Sequence, residues 1–436
     1  MSVNPARFWC VKNLLNLQKQ GWLPEELPPS IPKSEDRRLY SALFQGILRN
    51  SILLDTEITA RLSQPLHKLP DVVRIILQLG TFELLFMEKI PERATLFEAV
   101  ELAGVFKVPH KKNLVNAVLR NFQRDLAAGK IALETHPLEV RTSHPAWMVE
   151  RWRQFYGPEL AESMCVANNQ YEGMTFFSKN SLENKNNSDV FPDDSMPHPL
   201  VPEGRILTQG SSLLQGEAFQ HGPWFVQDVS SWLFMRLIHS VVSGRILDMC
   251  AAPGGKTFHL LENPAAVQVV SVDSAHARMR LLAENLTRLS FKMPLLLTAD
   301  GHNLPFTDQT FDLVLVDAPC SSTGTIRKNP DIKRVAKLQD LLRQVSVQRK
   351  LLESGAAVTK INGFLVYSTC SLEPEENQQQ ISGFLQQHPA FQVVPPGKLL
   401  EDQTPYQAWL TEEGFFQTLP EVGIMGFFGA LLQRIS

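Results

Sequence analysis

The hydrophobic pattern changes character twice along the chain. Over residues 1–128 apolar positions recur at helical spacing. DVVRIILQLGTFELLF (71–86) sets Val72, Ile75, Ile76, Leu79, Phe82 and Phe86 on one stripe, which predicts a core-facing helix. LFEAVELAGVF (96–106) and KNLVNAVLRNFQRDL (112–126) repeat the period. Leu69-Pro70, Ile90-Pro91 and Val108-Pro109 punctuate these segments, because a residue before proline is driven out of the helical region. A compact helical bundle is expected. SHPAWMVERWRQFYG (143–157) predicts one more helix, capped by Ser143 with Pro145 in its first turn.

From about 178 to 205 the chain turns polar, rich in Asn, Asp, Ser and Pro, and is expected to be a loop or linker. From about 224 a new rhythm begins. GRILDMC (244–250), VQVVSVD (267–273), PLLLTAD (294–300), FDLVLVDAPC (311–320) and GFLVYSTC (363–370) are short apolar runs. Helical segments such as ARMRLLAENLTRL and LQDLLRQVSVQRKLLESGAAV lie between them. Strand and helix in alternation predict a doubly wound, mostly parallel α/β sheet. Ligands of such sheets bind beyond the carboxyl ends of the strands, where this chain sets Asp248, Asp273, Asp300, Asp317 and Cys370.

Composition narrows the class. A chain of 436 residues, 44% hydrophobic and 20% charged, is ordinary globular material and neither disordered nor collagen-like. Five cysteines are too few for a disulfide framework, so reduced thiols and a cytoplasmic setting are expected. The opening residues do not read as a signal peptide, and nothing reads as a membrane span. The formal charge of −3 hides an asymmetry. Residues 1–130 carry 18 Lys/Arg against 13 Asp/Glu. Lys107, His110, Lys111, Lys112, Arg120 and Arg124 cluster there, as a polyanion-binding surface would require.

The candidate chemistry lies at the strand ends. In LDMCAAPGGKT (247–257) a strand runs through a small-residue loop into a helix. Gly254 and Gly255 permit backbone conformations and close approaches that a Cβ would forbid. The spacing matches neither a phosphate loop nor a dinucleotide fingerprint, and it suits a nucleoside cofactor without a pyrophosphate. Asp273, 25 residues beyond Asp248, is placed to accept both hydrogen bonds of a ribose diol. Asp300 is placed to accept from an adenine amino group. Asp-Ala-Pro-Cys (317–320) and Ser-Thr-Cys-Ser (368–371) put one cysteine at each of two strand mouths. A cysteine there is often only a small buried apolar residue. No Cys-x-x-Cys and no His cluster accompanies them, so a metal is not expected.

Together, DMCAAPGGKT, Asp273, DAPCSSTGTIRKNPDIK and YSTCSLEPEEN resemble the two-cysteine RNA cytosine-5 methyltransferases of the RsmB/Sun (Nop2/Sun) family. QDVSSWL (227–233) is similar to the short motif that precedes their first strand, and GIMGFFGALLQRI to their closing strand. The segment 167–180 lacks the arginine that members often carry there. The resemblance implies a NusB-like RNA-binding domain over 1–130, a linking, RNA-contacting subdomain over 131–222, and an S-adenosylmethionine-dependent methyltransferase domain over 223–436.

The resemblance also implies roles for single residues. Cys250, Ala251, Ala252, Pro253, Gly254, Gly255 and Lys256 would hold S-adenosylmethionine, with Asp273 at its ribose and Asp300 by its adenine. Asp317 would lie where cofactor and target base meet, and Lys256 would orient it. Cys370 would be the nucleophile and Cys320 would help release the product. Arg327 and Lys328 would face the target strand. The implied substrate is RNA, most specifically small-subunit (16S) ribosomal RNA, acted on by a monomer. A non-catalytic RNA-binding assembly factor is the alternative, opposed by the survival of both cysteines and the strand-end acids. A DNA cytosine methyltransferase is opposed by the Ser-Thr-Cys-Ser segment.

Overall fold

The computed structural model describes residues 3–20, 31, 33–170, 172–182, 195–207, 219, 222–399 and 406–436. The chain forms two compact units. One comprises Met1–Asn169 together with Asn329–Val335; the other comprises Gln170–Lys328 and Ala336–Ser436. Among the described residues no helix is long and apolar enough to cross a membrane.

The first unit is all helical. Its principal helices are Pro5–Gln20, Ser34–Arg49, Ser51–Thr59, Asp71–Phe86, Glu92–Val105, Lys112–Ala127, Ala146–Tyr156 and Pro158–Ala167. The helix Asp71–Phe86 differs from the one-stripe expectation. Gln78, Thr81 and Glu83 are buried as fully as Ile75, Ile76 and Leu79, whereas Phe86 is 42% exposed. The cause is its central position, packed by the helices on several sides. Its buried carboxylate is compensated, as burial of a charge requires. Glu83 accepts from Arg7 Nε at 2.7 Å and from Thr95 Oγ1 at 2.7 Å.

Ser143 does not cap the following helix. Its backbone is left-handed (φ 52°), and its Oγ accepts from Leu53 N at 3.0 Å. The helix begins at Ala146 without a side-chain cap. The stretch Asn329–Val335 completes this unit. Lys333 is buried and donates to the carbonyls of Arg49 (3.1 Å) and Thr142 (2.9 Å) and to Asn169 Oδ1.

The second unit contains an eight-stranded sheet. We label its strands β5 (Gly244–Met249), β6 (Ala266–Asp273), β7 (Leu295–Thr298), β8 (Phe311–Asp317), β9 (Thr359–Thr369), β10 (Phe391–Val393), β11 (Phe416–Thr418) and β12 (Phe427–Arg434). The order is β10-β12-β9-β8-β5-β6-β7, with β11 paired to β12. The five strands β5 to β9 run parallel, and β12 closes antiparallel on β9. Alternate residues feed two cores, as the pleat dictates. Ile246, Leu313, Leu315 and Val366 face one cluster; Leu247, Val314, Val316 and Leu365 face the other. Helices cover both faces, which a parallel sheet requires.

The polar region also contains structure. Short strands β1 (Met174–Ser178), β2 (Met196–Pro197), β3 (Arg205–Leu207) and β4 (Trp224–Val226) form an antiparallel sheet ordered β2-β3-β1-β4. Phe177 stacks on Trp232 with ring centroids 3.8 Å apart. The expected loop therefore has ordered ends that pack on the second unit's own core. Residues 183–194 lie outside the described residues.

Candidate active site

β5 delivers Asp248 beneath the loop and Cys250 at its start. Cys250 takes a left-handed backbone (φ 60°), and Ala251 N donates to Val272 O at 3.0 Å, tying the loop to β6. Gly254 has φ 116°, and a Cβ there would lie 2.6 Å from Leu282 and 2.9 Å from Phe258. Glycine is therefore required at this position. The helix Gly255–Glu262 follows at once. Asp248 is fully buried and accepts from Thr257 Oγ1 at 2.6 Å. Burial pushes its carboxyl up to about 7, against the Thr257 hydrogen bond, which lowers it.

Asp273 ends β6 and is 3% exposed. Its Oδ1 accepts from Ala275 N at 3.1 Å. Its Oδ2 lies 3.4 Å from the Arg278 guanidinium but has no hydrogen-bond partner among the described residues. A buried acceptor without a donor fits a hydroxyl-bearing ligand, because leaving it unmade costs about 1–3 kcal/mol. Asp300 stands two residues past β7, exposed, with His302 Nδ1 at 3.1 Å.

β8 and β9 are in register with Asp317 opposite Ser368, so the segments that follow emerge side by side. Cys320 Sγ and Cys370 Sγ are 3.4 Å apart, and both thiols are free. Ser322 Oγ lies 3.4 Å from Cys370 Sγ. The Cys320 thiol is pushed well up, first by its hydrogen bond to Cys370 and then by burial. The Cys370 thiol is held down, chiefly by that same hydrogen bond. The two sulfurs therefore titrate as a coupled pair, in which the directions of the shifts make Cys370 the more acidic thiol. Asp317 Oδ1 receives Lys256 Nζ at 2.7 Å and Ser368 Oγ at 2.8 Å. Lys256 Nζ also sits 5.3 Å from the centroid of the Phe427 ring.

Part of this set opens on one cavity of about 210 Å³, lined by Gln227, Asp228, Ala251 to Lys256, Asp317, Cys370 and Phe427 among others, whereas Cys250, Asp273, Asp300 and Cys320 are not in its lining. Seven of the expected residues thus share a single wall: Ala251, Ala252, Pro253, Gly254, Gly255, Lys256 and Asp317. Cys370 joins them, with Cys320 in contact with it. Among the described residues no cluster of His, Cys, Asp and Glu could hold a metal ion.

Arg327 departs from expectation. It is 4% exposed, pairs with Glu172 Oε2 at 2.6 Å and donates to Glu421 O at 2.6 Å. It is an internal strut of this unit and does not face a target strand. Burial of a guanidinium demands such partners. Lys328 is partly exposed and lies 3.6 Å from Asp228 on the cavity wall.

Two residues of LEPEEN, quoted above for resemblance alone, hold the thiols' surroundings. Glu376 Oε1 accepts from Ser321 N at 2.8 Å. Asn377 Nδ2 donates to Ser371 O at 2.9 Å. The available signal was a run of polar residues directly after a buried strand, where unpaired polar groups are costly. Gly324 was also missed. A Cβ there would lie 2.3 Å from Gly426 O and 2.8 Å from Cys370 O.

Comparison with known proteins supplies the context. A family model described as 16S rRNA methyltransferase RsmB/F matches residues 236–433, and a NusB family model matches 11–124. Ribosomal RNA small subunit methyltransferase B of Yersinia pseudotuberculosis is 35% identical over 407 residues, 90% of this chain and 92% of that protein. The crystal structure of PH0851 is similar over the full length of both chains, with TM-score 0.78 and 24% identity. A methyltransferase homolog protein from Pyrococcus horikoshii matches with TM-score 0.53 and 27% identity, over 68% of this chain and 97% of that one.

Proposed function

Because this chain belongs to the RsmB/F family of 16S ribosomal RNA methyltransferases, we propose that it methylates carbon 5 of a cytosine in small-subunit ribosomal RNA, using Cys370 as a covalent nucleophile. The observation that carries the reading is the pair of thiols 3.4 Å apart beside the Lys256–Asp317 ion pair. S-adenosylmethionine supplies an electrophilic methyl group on a sulfonium. The loop Cys250 to Lys256 would hold it, with Asp273 at its ribose and Asp300 by its adenine. The buried Asp273 Oδ2, which accepts no hydrogen bond among the described residues, supports that fit.

The remaining steps belong to this chain's residues. Carbon 5 of cytosine is a weak nucleophile. Addition of the Cys370 thiolate to carbon 6 forms a C–S bond and makes carbon 5 enamine-like, splitting one hard step into easier ones. The Lys256 ammonium, held by its ion pair with Asp317, supplies the positive charge that stabilises the negative charge developing on the ring. After transfer, carbon 5 carries a methyl group and a proton. Loss of that proton through water re-forms the ring double bond, breaks the C–S bond and returns the electron pair to Cys370. The Cys320 S–H, hydrogen-bonded to that sulfur, assists its departure. The target base must leave its stack to enter the cavity, at a cost of about a few kcal/mol.

Methyl incorporation into ribosomal RNA with mapping of the product base tests this. Cys370→Ala abolishes transfer, and Cys320→Ala accumulates a covalent protein–RNA band on a denaturing gel. A Cys370→Ala protein that still methylates carbon 5 overturns the assignment.

A further inference from the structure

Cys320 and Cys370 follow different strands, so something must fix their separation and decide which of them carries the proton. The consecutive residues Glu376 and Asn377 flank the problem from both sides. Asn377 brackets Cys370: its Oδ1 accepts from Thr369 Oγ1 at 2.6 Å and its Nδ2 donates to Ser371 O at 2.9 Å. Glu376 brackets Cys320. It accepts from Ser321 N at 2.8 Å, Ser321 Oγ at 2.5 Å and Gln348 Nε2 at 3.0 Å. Gln348 Nε2 donates in addition to Pro319 O at 2.9 Å, on the other flank of Cys320. Glu376 is fully buried, and all three of these partners are donors, as a carboxylate requires.

The charges on the two sides differ. Cys370 faces Asp317 together with the Lys256 ammonium, and its Sγ donates to Ser322 Oγ at 3.4 Å. Cys320 faces Glu376 and the neutral phenol of Tyr367, whose hydroxyl donates to Glu376 O at 2.7 Å. A second anion beside a buried carboxylate is disfavoured.

We infer that Glu376 is a positioning residue that keeps the shared proton on Cys320 and thereby leaves Cys370 as the attacking thiolate. The inference rests on the covalent reading above. No proton passes between the sulfurs during turnover. Cys370 gives its electron pair to carbon 6 and recovers it when the C–S bond breaks, each time facing the same Cys320 S–H. Burial raises the Glu376 carboxyl, and its donors from Ser321, Ser371 and Gln348 oppose the rise.

The test uses the full chain and two readouts. The first is the rate of iodoacetamide alkylation at each cysteine against pH, resolved by mass spectrometry without RNA. Wild type reacts at Cys370 before Cys320. Glu376→Gln lowers the Cys370-to-Cys320 rate ratio about tenfold, the equivalent of one pKa unit, and Glu376→Asp, which keeps the charge, restores most of it. An unchanged ratio in Glu376→Gln, or an equal loss in Glu376→Asp, overturns the inference. If Glu376→Gln does not fold, Ser321→Ala decides. Losing one donor must move the ratio the same way, and no movement overturns the inference.

The second readout is the protein–RNA band, with Cys320→Ala as reference. Glu376→Gln accumulates it because departure of Cys370 is slowed. If Cys320→Ala gives the band and Glu376→Gln does not, the inference alone fails. If Cys320→Ala gives none, the covalent reading fails with it.

Discussion

Asp248 and Asp273 are both buried strand-end acids, yet their surroundings set them different tasks. Asp248 keeps one hydrogen bond, from Thr257, and its other oxygen has no partner among the described residues. Its carboxyl, pushed up to about 7 by burial, lies well above the value of an unfolded chain. The folded state therefore binds the proton more tightly than the unfolded one. The stability that proton brings is fully present below about pH 4, declines as pH rises towards 7, and is gone above it. Asp248→Asn, which mimics the neutral form, is expected to gain stability relative to wild type across that window, on the order of 4 kcal/mol at pH 8. Denaturant unfolding of both proteins from pH 4 to 8 checks this, and parallel curves would refute it. Acids at strand ends were legible in the sequence because a doubly wound sheet directs ligands there. Their division into an acid raised by burial and one set beside a backbone amide and a guanidinium was not, since it depends on Thr257, Ala275 and Arg278 arriving from helices and turns.

At the scale of elements, the site depends on two loops approaching a third. Gly324 N donates to Cys370 O at 3.0 Å, and Gly426 N donates to Gly324 O at 3.0 Å. This chain of backbone bonds joins the loop after β8, the mouth of β9 and the approach to β12. Gly324→Ala inserts a methyl group where backbone atoms already touch. The expected cost is about 1–3 kcal/mol of stability, with a loss of methyl transfer larger than the loss of stability explains, because the thiols are pushed apart. Thermal melts alongside single-turnover transfer separate the two. The long parallel strands were readable from unbroken apolar runs. The small sheet β1 to β4 was not, because strands of two to five residues carry too little alternation to rise above a polar background. Arg327 was misjudged for a related reason. An arginine after a catalytic motif looks like a substrate contact until Glu172, 155 positions away, is seen to meet it.

At the scale of the molecule, the helical unit matches a NusB family model and carries the basic cluster. Lys112 is engaged by Glu101 at 2.7 Å, while Lys107, Arg120 and Arg124 are exposed. Their triple replacement by alanine is expected to weaken RNA binding and to reduce the slope of log affinity against log salt by up to about 3. A salt titration of binding measures it, and an unchanged slope would remove this surface from the RNA contact. The bundle itself was evident from periodicity. That it needs a piece from beyond residue 328 was not, because a polar stretch such as NPDIKRV shows no sign of which core it joins.

That borrowed piece has a temporal side. A chain is synthesised from its amino terminus, and at typical rates residue 335 follows residue 169 by roughly ten to thirty seconds. Throughout that interval the carbonyls of Arg49 and Thr142 wait for the Lys333 amino group that will satisfy them. The nascent bundle can collapse early, but it finishes only once the strand bearing Asp317 and the Asp-Ala-Pro-Cys turn have already been made.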